Sequence, residues 1–171
     1  KGYAGQLAAQ MLREHGVQSA LLNLGGNVQT VGAKPDGSPW QIGIKDPQGE
    51  DAMMVLSVED QAVVTSGGYE RYFEQDGQTY WHIMDPSTGH PADSGLISVT
   101  IVGDEGVVCD GLSTALFVMG LEKAADLWAQ SGDFEAVFVT ASGEVYITEG
   151  LRDRFALTEQ YADTPVSVIE R

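Results

Sequence analysis

The amino-acid sequence predicts an α+β fold, with a largely antiparallel sheet and two principal helices packed on it. The predicted elements run in the order helix, many short strands joined in hairpins, helix and two strands. A doubly wound parallel sheet would need strands that alternate with helices, and only two segments have convincing helical periodicity. The 171 residues are 43% hydrophobic and 20% charged, an ordinary globular composition, so we expect a single domain over residues 1–171.

The first predicted helix covers residues 3–15, because its apolar residues recur at the spacing of one helical face. That face, expected to be buried, consists of Ala4, Leu7, Ala8, Met11 and Leu12. Gly16 then stands where a left-handed residue ends many helices. A buried strand is predicted over residues 20–24, and Gly25-Gly26-Asn27 follows as either a tight turn or a phosphate cradle.

The middle of the chain predicts strands from short runs rich in β-branched and aromatic residues. These strands cover residues 28–33, 40–44, 53–58, 61–65 and 96–102. An extended pattern resumes over residues 69–73, and Asp76-Gly77 predicts a hairpin that pairs 71–73 with 79–82. Ser66-Gly67-Gly68, like Gly25-Gly26-Asn27, is either a tight turn or a phosphate cradle.

The last third predicts one long helix and three short strands. The helix covers residues 110–130 and is expected to end at Gly132. A hairpin around Ser142-Gly143 joins strands at 136–140 and 144–148, and residues 155–157 add an edge strand.

The acidic composition excludes several classes of partner. A net charge of −16 argues against nucleic acid and anionic lipid, because attraction to phosphates requires a basic surface. An acidic chain that binds an anionic ligand needs local positive charge from a metal ion or from helix-terminal amides. Cys109 is the one cysteine, so no disulfide can form within the chain. No apolar run approaches the roughly 20 residues of a membrane-spanning helix.

A carboxylate and a hydroxyl at the predicted start of the second long helix carry the clearest chemistry. Asp110 and Thr114 are four residues apart, so they share one helix face, and Ser113 is adjacent. Oxygen ligands of this kind suit Mg²⁺, which takes further ligands from water and substrate phosphates. Asp110 is also an excellent candidate for the N-cap of the helix. Spacing alone favours this structural role over that of a metal ligand.

His82 precedes an Asp-Pro-Ser-Thr-Gly turn, where a histidine is either a hydrogen-bonded structural residue or part of a site. No Ser-His-Asp order and no paired Cys/His cluster supplies a nucleophile. Cys109 lacks the basic neighbours in sequence that would activate its thiol. Together with the glycine turns, these weak signals indicate a phosphate-bearing ligand held by a metal ion.

The sequence motifs, taken in order, resemble the C-terminal portion of the FAD:protein FMN transferases, the ApbE family. The resemblance covers about 150 residues. The motifs that carry it are Lys1-Gly2-Tyr3-Ala4, Leu22-Asn23-Leu24-Gly25-Gly26-Asn27, Trp40-Gln41-Ile42-Gly43-Ile44, Ser66-Gly67-Gly68-Tyr69-Glu70-Arg71-Tyr72-Phe73, His82-Ile83-Met84-Asp85-Pro86-Ser87-Thr88-Gly89-His90-Pro91 and Asp110-Gly111-Leu112-Ser113-Thr114-Ala115.

The resemblance implies a Mg²⁺-dependent enzyme that transfers FMN from FAD to a threonine or serine hydroxyl of a target protein and releases AMP. The alternatives are an FAD-binding or FAD-hydrolysing protein without transferase activity, and an inactive fragment. The residues that match the family pattern are Asp110, Ser113 and Thr114 as metal ligands, Asp110 also as the catalytic residue, and Lys1, His82, Met84 and Asp85 as FAD-binding residues.

The resemblance also carries expectations about partners and location. The acceptor is expected to be a flavoprotein subunit of a membrane redox complex. The protein is expected on the extracytoplasmic side of a bacterial membrane, as a periplasmic protein or a lipoprotein, with membrane contact only through an N-terminal anchor outside this sequence. The family's upstream half, which supplies flavin contacts and a backbone metal ligand, is expected to be missing before Lys1.

Overall fold

The computed structural model describes residues 1–171, with the side chain of Gln78 excepted. Within the described residues the chain forms three α-helices, α1 (Gly2–Glu14), α2 (Gly106–Met119) and α3 (Leu121–Ser131). The strands of the first half are β1 (Ala20–Asn23), β2 (Asn27–Val31), β3 (Trp40–Lys45), β4 (Ala52–Val58), β5 (Ala62–Gly67), β6 (Tyr72–Gln75) and β7 (Gln78–Trp81). Those of the second half are β8 (Leu96–Gly103), β9 (Glu135–Thr140), β10 (Val145–Thr148), β11 (Phe155–Leu157) and β12 (Val166–Ile169).

The strands form one large sheet and two small ones. The large sheet has seven strands in the order β1-β2-β5-β8-β9-β10-β12, and β11-β4-β3 and β6-β7 form the small sheets. Every pairing is antiparallel except that of β10 with β12, which is parallel. The predicted α+β class with a largely antiparallel sheet is therefore confirmed.

The seven-stranded sheet separates two apolar layers, because its side chains alternate between its faces. Val64 and Ile101 belong to the layer that packs against α2 and α3. Val63 and Val102, their neighbours in sequence, belong to the layer beneath the three-stranded sheet. The division into two layers determines which face of β5 packs against α2. The site described below lies at that contact.

The buried face of α1 differs from the predicted one. Gly2, Gly5 and Ala9 are buried, whereas the predicted core residues Leu7 and Met11 are exposed. The reason is that α1 approaches α2 backbone to backbone: a Cβ on Gly2 would lie 2.2 Å from the carbonyl oxygen of Gly106. Small residues permit this approach, and periodicity of large apolar residues does not reveal it.

The predicted helix over residues 110–130 is two helices. α2 begins at Gly106, four residues before Asp110, and ends at Gly120, which has φ 80° and ψ 167°. This backbone conformation is essentially restricted to glycine, so it ends α2 and redirects the chain into α3. Asp110 is therefore not the N-cap of its own helix.

Most other predicted elements are confirmed, with two differences. Gly68–Glu70 forms a 3₁₀ turn directly after β5 ends at Gly67, rather than the start of an extended segment. β12 was not predicted, since its apolar alternation is short and carries no turn signal. No helix in the described part of the chain has the length and apolar character that a membrane crossing requires.

We predict that Gly120→Ala lowers the free energy of unfolding by about 1–3 kcal/mol, because alanine is strained at this φ and ψ. The added Cβ would also lie 3.3 Å from the carbonyl oxygen of Ser94. Gly111→Ala is the matched control, since Gly111 is exposed within α2 and a Cβ there meets no atom within 4 Å. It should raise stability by about 0.5–1 kcal/mol. Chemical denaturation measures the free energy of unfolding of both variants. Equal effects of the two substitutions would contradict the explanation that the backbone conformation of Gly120 ends α2.

Candidate functional site

A cluster of three hydroxyls joins the end of β5 to the second and third turns of α2. The Ser66 hydroxyl oxygen lies 2.8 Å from that of Ser113 and 3.0 Å from that of Thr114. Ser113 is fully buried, whereas Thr114 is exposed. The sequence identified Ser66 only as part of a possible turn. Its place in this cluster becomes visible only from the packing of β5 against α2.

The protons of the cluster have one consistent order. Ser113 donates to the carbonyl oxygen of Asp110 at 3.1 Å, so its hydroxyl must accept from Ser66. The single proton of Ser66 is then committed, and Thr114 must donate to Ser66. The lone pairs of the exposed Thr114 oxygen therefore remain available to a ligand outside the cluster.

Asp110 connects the cluster to the N-terminus of α1. Its Oδ2 accepts a hydrogen bond of 2.8 Å from the backbone N–H of Gly2 and lies 3.3 Å from the backbone nitrogen of Lys1. Asp110 thus caps α1, a neighbouring helix, instead of α2. Among the described contacts only Oδ2 is used, which leaves Oδ1 open to a cation.

The β1–β2 turn completes the side of the site next to α1. Gly25 and Gly26 both have positive φ, and the Asn23 side chain accepts from the N–H of Gly26 at 2.9 Å. The ammonium of Lys1 donates to the carbonyl oxygen of Gly25 at 2.8 Å. The glycine pair thus forms a tight turn, and the Lys1 ammonium lies beside it.

The loop after β7 forms a compact turn of its own. Asp85 accepts from both the N–H and the hydroxyl of Ser87, at 2.8 and 2.7 Å. These hydrogen bonds, that of the Ser87 hydroxyl first, lower the pKa of the Asp85 carboxyl. The described contacts of Asp85 are therefore structural, and they include no atom of the hydroxyl cluster.

His82 and Met84 follow the end of β7 at Trp81, and Met84 forms an isolated antiparallel bridge with Pro91. Both side chains are exposed, and the His82 Nδ1 lies 3.3 Å from the carbonyl oxygen of Arg71. Trp81 anchors the segment, since its ring packs edge-on against Phe117 of α2 at 6.5 Å. The loop thus follows a residue that contacts α2 one turn beyond the hydroxyl cluster.

Cys109 is not a candidate nucleophile. Its side chain is buried, and burial is the main cause that raises the pKa of the thiol to about 12. Asp104 and other nearby carboxylates act in the same direction. The thiol is therefore neutral at physiological pH, in agreement with the absence of basic neighbours in the sequence.

The oxygen atoms of the cluster fit a hard cation better than a transition metal. Asp110 contributes a carboxylate oxygen and Thr114 a hydroxyl oxygen with uncommitted lone pairs, whereas the buried Ser113 hydroxyl already accepts from Ser66. In the described part of the chain no three His, Cys, Asp or Glu side chains are close enough to hold a metal ion. A cation here would thus have one anionic protein ligand and would depend on ligand phosphates for the rest of its charge balance.

The same cluster lies within the part of the chain that other proteins share. The sequence model of the ApbE family matches residues 1–138, which include all of the residues described above. The chain belongs to the ApbE family.

Two ApbE-family relatives show the extent of the similarity. An FAD:protein FMN transferase of Klebsiella pneumoniae is 40% identical over 158 residues, which cover 91% of this chain and 48% of the relative. One of Treponema pallidum is 39% identical over 164 residues, which cover 90% and 45%. The chain thus spans about half the length of these ApbE relatives.

Solved ApbE structures share the fold. The ApbE protein of Thermotoga maritima superposes with a TM-score of 0.82 at 38% identity, covering 90% of this chain and 50% of that one. The flavinyl transferase ApbE of Pseudomonas stutzeri, in its apo form, gives a TM-score of 0.68 at 38% identity and covers 92% and 46%. The α+β architecture is therefore common to this chain and to ApbE proteins.

Proposed function

We propose that the protein transfers FMN from FAD to a serine or threonine hydroxyl of an acceptor protein and releases AMP, with Mg²⁺ at the hydroxyl cluster. The observation that carries the proposal is the junction of α1, β5 and α2. There the Asp110 carboxylate meets the start of α1, and Ser66 of β5 joins Ser113 and Thr114 on the next turn of α2, in a chain with a net charge of −16. The relatives named FAD:protein FMN transferase support the flavin as the ligand.

The proposed ligands of the ion are Asp110 and Thr114, and the buried Ser113 hydroxyl, which resembles a third ligand in sequence, supports Thr114 through Ser66. Bound there, Mg²⁺ would neutralise charge on the pyrophosphate oxygens of FAD as its phosphoanhydride bond breaks. Asp110 can contribute Oδ1 while Oδ2 keeps its hydrogen bond to Gly2. The hydrogen bonds through Ser66 hold the two helix hydroxyls in fixed orientations, so little reorganisation is needed when the ligand binds.

Lys1 is the proposed side-chain cation for the phosphates. Its ammonium is held by Gly25 beside the N-terminus of α1, a 13-residue helix whose dipole also favours an anion. Lys1 and Met84 are the proposed FAD contacts from this chain. Asp85 supports the loop through Ser87, and we propose that it acts on FAD through that loop rather than by direct contact.

The reaction requires a proton acceptor, and we propose His82 for it. The acceptor hydroxyl oxygen forms a bond to the FMN phosphorus, the bond from that phosphorus to the AMP oxygen breaks, and the hydroxyl proton passes to the base. His82 is an exposed imidazole on the segment that Trp81 anchors against α2. Imidazole is the side chain best suited to accept a proton near neutral pH.

The transfer reaction gives the direct test of the proposed function. The complete natural polypeptide, FAD, Mg²⁺ and a total protein extract of the source organism should yield AMP and an equal amount of protein-bound flavin. Gel fluorescence and chromatography measure the two products. Release of AMP together with free FMN alone would support the hydrolase alternative, and the absence of AMP would refute both activities.

Asp110→Asn tests the proposed metal ligand in the same assay. The amide oxygen still accepts from Gly2, so the fold should persist, while loss of the negative ligand should lower AMP release by about 10²–10³-fold. Asp126→Asn is the control, because Asp126 is an exposed carboxylate on α3. Full activity of the Asp110 variant would exclude the assignment.

His82→Gln should lower the rate of FMN transfer by about 10²-fold or more, since a positioned general base typically contributes at least that factor. The control is His90→Gln in the same loop, where the exposed imidazole has no assigned role. Thermal unfolding of both variants should match that of the unmodified protein. A similar loss of rate in both variants would assign the effect to the loop and would refute His82 as the base.

A further inference from the structure

Two hydrogen bonds between α1 and α2 run in opposite directions across one contact. The Asp110 carboxylate of α2 accepts from the N–H of Gly2 at 2.8 Å. In return, the Gln6 side-chain oxygen of α1 accepts from the N–H of Val107 at 3.0 Å. Because Gly2 and Val107 both belong to the first turn of their helices, each helix caps the start of the other.

Neither helix receives this cap from its own sequence. Lys1 and Glu105 are the N-cap residues of α1 and α2, and neither side chain makes a capping hydrogen bond. The first N–H groups of a helix have no acceptor within the helix, so an outside acceptor stabilises them. Asp110 and Gln6 supply that acceptor from the neighbouring helix. The two caps therefore depend on how α1 and α2 are aligned.

The glycine contact between the helices sets their distance but not their alignment. A Cβ on Gly106 would lie 3.1 Å from the carbonyl oxygen of Gly2 and 2.8 Å from the side-chain oxygen of Gln29 on β2. Packed helices usually resist sliding because ridges of side chains fit into grooves, and glycines form no ridge. The two hydrogen bonds supply the directional contacts that the glycines lack.

The separation of the two hydrogen bonds opposes rotation of one helix against the other. Gly2 and Gln6 are about 6 Å apart along α1, and Val107 and Asp110 are about 4.5 Å apart along α2. A hydrogen bond at Asp110 alone would act as a pivot, about which its carboxylate could turn. The second hydrogen bond keeps Oδ2 directed at Gly2, and Oδ1 then stays free for a cation.

We propose that Gln6 is a positioning residue for Asp110. Its hydrogen bond to Val107 holds α1 and α2 in the alignment that presents Oδ1 of Asp110 to the metal ion. The inference rests on the proposed function, because the ion and its ligand Asp110 belong to that proposal. Gln6 acts through the two helices and touches neither the ion nor FAD. Its loss should therefore weaken binding of the ion and leave the reaction at the bound ion unchanged.

The first test uses the complete natural polypeptide with Gln6→Met, which removes the acceptor oxygen but keeps a side chain of similar length and helix propensity. AMP release from FAD is measured over a series of Mg²⁺ concentrations. The concentration that gives the half-maximal rate should rise by about 10–100-fold, the typical effect of losing a residue that orients a metal ligand. The maximal rate should be recovered at saturating Mg²⁺.

Hydrogen exchange in the metal-free protein, followed by NMR, gives a second readout that does not depend on activity. The N–H of Gly2, which Gln6 does not contact, should exchange about 5-fold faster in Gln6→Met, the factor that corresponds to one net hydrogen bond. Gln6→Glu keeps an acceptor oxygen and should restore the slow exchange. Gln10→Met is the matched control, because Gln10 lies one turn later on α1 and bonds to Glu14 of the same helix. Its exchange and its Mg²⁺ dependence should equal those of the unmodified protein.

Each other outcome has a defined meaning. Unchanged exchange at Gly2, or an unchanged Mg²⁺ dependence in Gln6→Met, overturns the inference and leaves the transferase function standing. A maximal rate that stays low at saturating Mg²⁺ also overturns it, since Gln6 would then affect more than binding of the ion. Absence of AMP from the unmodified protein refutes the proposed function itself. Exchange at Gly2 then still decides whether Gln6 maintains the contact with Asp110.

Discussion

The close contact between the start of α1 and the first two turns of α2 is the constraint on which the site depends. Gly2 and Gly106 have no side chains, and this lets the two backbones approach until the Asp110 carboxylate can accept from the N–H of Gly2. A side chain on Gly2 would overlap the carbonyl oxygen of Gly106. The contact brings Lys1 and the β1–β2 turn beside Asp110, and β5 adds Ser66 from the other side of α2.

The same arrangement bears on how an acidic chain would bind the pyrophosphate of the proposed substrate. With 25 acidic against 9 basic residues, long-range attraction works against an anionic ligand. The site compensates locally, through the Lys1 ammonium, the N-terminus of α1 and oxygen atoms arranged for a hard cation. Since Asp110 is its one carboxylate, affinity for the cation should come largely from the phosphates of the ligand. Metal and FAD binding should therefore be coupled.

Sequence patterns predicted much of this fold because hairpin signals and β-branched runs act locally. They located most of the strands of the large sheet and the Asp110, Ser113 and Thr114 group. They did not reveal the break at Gly120, since an isolated glycine within a helical pattern does not show its ψ. They predicted the wrong buried face of α1, because this helix is buried through Gly2 and Gly5 rather than through Leu7 and Met11. They also did not assign Ser66 to the site, because its two hydrogen-bond partners are 47 and 48 residues away in the sequence.

The location of the bound cation tests the central claim most directly. Crystals of the complete polypeptide with FAD and Mn²⁺, which prefers the same oxygen ligands as Mg²⁺, allow the ion to be placed by anomalous scattering. The account predicts one ion between a pyrophosphate oxygen, Asp110 Oδ1 and the Thr114 hydroxyl, at distances of about 2.1 Å. An ion in the acidic cavity lined by Asp104, Glu105 and Asp133, with none at Asp110, would contradict it.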